Sequence, residues 1–177
     1  MKKAIAITSL ILTFFIIYFL QTNVFTWFTI GGIMPNLFII LVLFIGLFVG
    51  KKLGFVLGIV FGLIIDFLLG QAVGVSAFLL GIIGLIAEYL DKSFSKDSRI
   101  MLMMIVIAGT VFFEVGYYIF KIIKYGAAFE FVPFIKILVI EIIFNIFLTI
   151  IIYPLIQNMG NKLEEIFKNK KVLSRYY

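Results

Sequence analysis

Long apolar runs alternate with short polar breaks along the whole chain. Near-continuous Leu, Ile, Val and Phe fills about residues 4–20, 34–49, 53–69, 75–90, 100–120 and 134–156. The breaks between them are Gln21 to Gly32, Lys51-Lys52, Gly70 to Gly74, Asp91 to Arg99 and Lys121 to Pro133. A membrane-crossing helix needs roughly 17–25 predominantly apolar residues, so the pattern predicts an all-α integral membrane protein, a bundle of six transmembrane helices. The second and third runs lie at the short end of that range, which predicts little tilt and lysines that snorkel to the headgroups.

A second period lies inside the third run. Gly50, Gly54, Gly58, Gly62, Asp66 and Gly70 recur at every fourth position, which on a helix forms one slowly drifting stripe of small residues closed by a carboxylate. The fourth run carries Ala77, Gly81, Gly84 and Glu88 on one face at spacings of four, three and four. Small residues let helix backbones approach closely where lipid supplies no hydrophobic drive. The stripe therefore packs the third span inside its own bundle, as a buried central helix, or docks another protein's membrane helix.

Composition narrows the function classes. Of 177 residues, 64% are hydrophobic and 14% charged, with mean hydropathy +1.24, which leaves no stretch polar enough for a separate aqueous domain. Residues 1–157 read as one membrane domain and 158–177 as a basic tail. The absence of Cys and His excludes disulfides, thiolate or imidazole metal sites and nucleophilic pairs built on either residue. No nucleophile and base arrangement argues for an enzyme, and no cofactor is implied.

The net charge of +6 belongs to topology rather than to nucleic acid, because Lys and Arg sit at the ends of apolar runs. Lys2 and Lys3 followed by Ala4 to Leu20 read as an uncleaved signal anchor. With the N-terminus in the cytoplasm, only Lys121, Lys124 and Lys136 of the fifteen Lys and Arg fall outside, so both termini are placed in the cytoplasm. In the tail, Met159, Leu163, Ile166, Phe167 and Leu173 share one side among basic residues. That pattern is an interfacial or partner-docking helix, or a plain solvated tail.

Four carboxylates fall within or at the ends of spans: Asp66, Glu88, Glu114 and Glu141. Glu88, beside Asp91 and Lys92, is expected at the cytoplasmic interface. The other three are expected at one depth in the outer half of the membrane, within roughly 5–10 Å of its boundary by helical rise. Glu141, Asn145, Thr149, Tyr153 and Gln157 form a four-spaced polar row that should face the bundle interior, and Thr110, Glu114, Tyr117 and Tyr118 form a matching patch. These groups either lock helices together by mutual hydrogen bonds or line an outward pocket for a small ligand or cation.

The run from Gly32 to Leu80 resembles the MreD family of rod shape-determining proteins. The resemblance rests on Gly32 and Pro35 before the second span, the basic turn, the four-spaced glycines leading to Asp66 and the short Gly70 to Gly74 connection, with Gln21, Asn145 and Pro154 fitting as well. The chain departs from the family at Asn36, where Asp is frequent, and lacks a Pro often found before the position of Gly74. The resemblance implies a non-enzymatic scaffold of the bacterial cell-elongation machinery in the inner membrane. It implies MreC, MreB and RodA with its penicillin-binding transpeptidase as partners, and a fold like the substrate-binding subunits of energy-coupling-factor transporters. Such a transporter subunit is the alternative function, although the Ala-x-x-x-Ala-like pattern of its first span is missing here.

Overall fold

A computed structural model describes residues 2–69, 72–93, 98–126 and 128–168. Gly70, the side chain of Glu88 with those of residues 91–93, and the tail beyond residue 168 lie outside the described residues. Among the described residues six helices follow one another: α1 (Lys2–Phe19), α2 (Leu37–Phe44), α3 (Lys51–Leu68), α4 (Val75–Ser93), α5 (Arg99–Tyr125) and α6 (Phe131–Lys168). Single π-helical turns extend α1 over Leu20–Val24 and α2 over Ile45–Val49. No strand occurs among the described residues, and one isolated bridge joins Ile30 to Ile33.

The element at the centre is α2. Every residue from Leu37 to Val49 is buried, and α2 touches each of the other five helices. This corrects the expectation that the glycine-striped third span is central. A helix that is apolar all round has no polar face to turn outward, which is the signature of a buried position. In a membrane protein the same composition also suits a lipid-facing helix, so the pattern alone does not separate the two.

The glycines instead make α3 half of a pair with α4, the most extensive helix contact in the molecule. A Cβ added at Gly54 would lie 2.6 Å from the Gly84 carbonyl oxygen, and one at Gly58 would lie 2.5 Å from that of Leu80. At Gly62 it would overlap the backbone of Ser76 and Ala77, and at Gly84 the backbone of Gly54. The stripe thus has its internal role: two backbones in contact with no side chain between them. Gly81 differs, since a Cβ there meets the Ile59 side chain at 2.8 Å. Gly50 has a conformational role of its own. It precedes α3 with φ +119°, a conformation that L side chains rarely adopt, and makes the turn from α2.

Among the described residues, only Lys2–Val24, Arg99–Tyr125 and Phe131–Lys168 are both long and apolar enough to cross a membrane by themselves. The α2 helix with its π turn is short, about 20 Å by helical rise, and α3 carries Lys51, Lys52 and Asp66 within 18 residues. At the opposite extreme, α6 runs unbroken for 38 residues with Pro154 inside it, about 57 Å of helix. Its last turns cross the end of α2. Gly160 lies flat against the Phe48 ring, Leu163 and Phe167 pack on the core, and Lys168 Nζ donates to the Leu47 carbonyl at 2.5 Å. Glu164 is buried beside Lys168, 3.8 Å away. The side of this stretch that carries Gly160, Leu163, Glu164 and Phe167 is therefore applied to the bundle, while Met159 is exposed.

Candidate functional site

The turn leading into α2 is where the polar side chains of distant helices converge. The first amides of a helix have no intrahelical acceptor, and inside a bundle water does not reach them. Here Asn145 Oδ1 accepts the Asn36 N–H at 2.8 Å and Gln21 Oε1 accepts the Leu37 N–H at 3.2 Å. Gln21 Nε2 also donates to the Pro35 carbonyl at 2.5 Å. Asn145, wholly buried, donates from Nδ2 to Thr110 Oγ1 at 2.9 Å, and its own carbonyl accepts the Thr149 hydroxyl at 2.7 Å. One amide thereby ties α2, α5 and α6 together, while Gln21, placed by the π turn of α1, clamps the same helix start. The polar row on α6 faces inward: Glu141, Asn145 and Thr149 are buried, and Tyr153 and Gln157 are partly so.

Asp66 does the same for α4. It is fully buried, and its carboxyl oxygens accept the Gly74 N–H at 2.8 Å and the Ser76 N–H at 3.3 Å. The contact of Gly62 with Ala77 brings α3 so near α4 that a carboxyl one turn further reaches the free amides at the α4 N-terminus, where negative charge is favoured. Asp66 is thus a cap supplied from the neighbouring helix, not a partner of Glu114 and Glu141. In Asp66→Asn one oxygen becomes a donor and one bond is lost, so the variant should be less stable by about 1–2 kcal/mol. Thermal unfolding of the purified protein checks this, and a value equal to that of the unaltered chain would rule out the cap.

The other two acids do meet. The carboxyl of Glu114 on α5 lies against that of Glu141 on α6, with the side chains of Asn145 and Asn36 also beside Glu141. They line a cavity of ≈ 620 Å³ at the end of the bundle where α1, α3 and α5 finish and α2, α4 and α6 begin. Tyr117 and Lys121 continue the α5 wall, with Lys121 Nζ 4.7 Å from the centre of the Tyr117 ring. Three residues of this wall keep a buried polar atom without a hydrogen-bond partner: Asn36 Oδ1, Ser76 Oγ and Glu141 Oε1. Each such atom costs about 1–3 kcal/mol when left unpaired.

Several of these residues were within reach of the sequence pattern. Gly46 extends the four-residue period one step back from Gly50, and a Cβ there would lie 2.5 Å from the Gly84 carbonyl oxygen. Ser76 and Gly160 carried no signal, because a lone Ser at a helix start and a lone Gly in a tail are ordinary.

The architecture is that of a helical membrane protein whose in-membrane polar groups cap buried helix ends and gather around one cavity. A family model described as rod shape-determining protein MreD matches residues 1–162, and the chain belongs to that family. No curated protein and no solved structure matched the chain. Membership implies a role in determining rod shape, within a non-catalytic family of membrane proteins that work with other shape-determining proteins.

Proposed function

We propose that the protein is a non-enzymatic scaffold of the bacterial cell-elongation machinery, maintaining rod shape by organising peptidoglycan synthesis from the inner membrane. The family match over residues 1–162 carries this reading. Its partners are MreC, MreB and RodA with its penicillin-binding transpeptidase. All six helices cross the bilayer, with both termini in the cytoplasm. The shortness of α2 is no obstacle, because it is enclosed by protein and need not match the lipid thickness. The charges of α3 sit at its ends, Lys51 and Lys52 at the cytoplasmic side and Asp66 on the α4 amides.

What a scaffold requires of its fold is a rigid body with apolar outer faces, and this bundle has both. Its helices are fixed by backbone contact and by caps supplied across helices, while Phe15, Ile16 and Phe19 on α1 and Ile143, Phe147 and Ile151 on α6 point outward. The test is in-cell crosslinking followed by co-purification from a rod-shaped host that depends on this chain. Recovery of MreC together with the wall synthases is expected. Recovery of an ATPase-linked coupling protein in their place would assign the chain to transport, a reading no observation favours.

A further inference from the structure

Trp27, in the connection between α1 and α2, is 87% exposed, more than any other large apolar side chain among the described residues. Phe28 beside it is exposed as well, and no charged residue occurs from Ala4 to Gly50. An exposed apolar patch of this kind marks a surface that a protein or a membrane covers. The wider distribution of aromatic side chains separates the two. Among the described residues, every aromatic side chain at least 60% exposed lies at the end of the bundle that holds the cavity. They include Phe67 at the end of α3, Phe78 at the start of α4, Tyr125 at the end of α5 and Phe131 at the start of α6. Thr26, Leu69, Ser76 and Lys121 line that one cavity, which sets these helix ends at one level.

The helices that carry these rings enclose α2. Contacts run from α3 to α4, α5, α6 and α1 in turn, and the stacked rings of Phe14 and Phe61, with centres 4.3 Å apart, close α1 onto α3. Exposed aromatic rings therefore occur on every side of the bundle. A partner protein covers one side, whereas a layer of lipid headgroups meets all sides at one depth, and Trp and Tyr concentrate at that depth. The opposite end carries Lys51, Lys52 and Arg99 and, among the described residues, none of the strongly exposed rings. We infer that the cavity end bears an aromatic collar seated in the headgroup layer of the outer leaflet, and that the Trp27 connection lies in this layer rather than in the water beyond it. The inference rests on the six-span reading proposed above.

Trp27 is the only Trp of the chain, so its fluorescence reports on this connection directly. The full chain is reconstituted alone into phospholipid vesicles whose lipid is plain, brominated close to the headgroup, or brominated at the chain end. Shallow bromines should quench Trp27 about twofold more strongly than deep ones, since an interfacial indole lies nearer to them. Moving the indole to α4, with Trp27→Phe and Phe78→Trp, should give the same ratio. Moving it deeper along α1 to half-exposed Phe15, with Trp27→Phe and Phe15→Trp, should invert the ratio. Emission from Trp27 that is alike in plain and brominated vesicles, while the Phe15→Trp indole is quenched, overturns the collar and leaves this face to a protein partner. Stronger quenching of Trp27 by the deep bromines, or no quenching of the Phe78→Trp indole, overturns it as well. If neither Trp27 nor the Phe15→Trp indole is quenched and an alkaline wash releases the chain from the vesicles, the six-span reading fails and the collar with it.

Discussion

Gly62→Leu should abolish the folded protein and, with it, rod shape in a host that depends on this chain. The position faces backbone rather than a side chain: any Cβ overlaps Ser76 and Ala77 of α4. Overpacking costs about 1–3 kcal/mol where neighbours can give way, and more where they cannot, as with a helix backbone. The cost here also spreads beyond the contact. Forcing α3 from α4 carries Asp66 off the Gly74 and Ser76 amides, so a packing defect becomes a lost cap. Gly81→Ala is the internal control on the opposite helix, since its Cβ meets a side-chain atom, Ile59 Cγ1, rather than backbone, and should cost less than a clash with a helix backbone. The measurements are monodispersity and thermal unfolding of the purified protein beside cell morphology at matched protein level. Normal shape and stability in Gly62→Leu would refute the backbone contact.

The second large effect is expected at Asn145. Asn145→Leu keeps a similar volume but leaves the Asn36 N–H at the start of α2 without an acceptor and removes the bond to Thr110. A buried unpaired amide costs about 1–3 kcal/mol and a lost side-chain bond about 1 kcal/mol more, so roughly 2–4 kcal/mol should disappear from the unfolding free energy. Thr110→Val removes the second of these together with the bond that the Thr110 hydroxyl donates to the Val106 carbonyl. In the double variant the two losses should fall short of additivity by about 1 kcal/mol, because both delete the same bond. Strict additivity would show that Asn145 and Thr110 do not interact. Because Asn145 anchors the helix that touches all others, its loss should loosen the bundle as a whole, a property visible as faster amide exchange in α2.

Asp66 and the α6 row show how far spacing alone carries. The four-residue period of Glu141, Asn145 and Thr149 predicted an inward face, and all three are buried. Helical geometry fixes which residues share a face, and an unpartnered amide in lipid is costly enough to fix which face turns inward. Depth was legible too: Asp66, Glu114 and Glu141 all lie toward the same end of the bundle. Which of them meet was not. Glu114 finds Glu141, while Asp66 turns to α4, because contact depends on the rotation of each helix and on the neighbour beside it. The stripe on α3 likewise announced a close approach without naming α4, or the flat fit of Gly160 on Phe48 more than a hundred residues along the chain.

From its sequence alone this protein is determined as an all-helical membrane protein of the MreD family, with a small-residue contact face on α3 and an inward polar face on α6. These follow from periods of three to four residues and from the cost of polar groups in lipid, both local properties of a single helix. Only the tertiary structure decided that α2 is the central helix, that Gln21 and Asn145 cap its start, and that Glu114, Glu141, Asn36 and Ser76 share one cavity. The physical reason is the solvent. Where lipid and protein core are equally apolar, composition no longer distinguishes outside from inside, and burial is set by which backbones come close enough to touch.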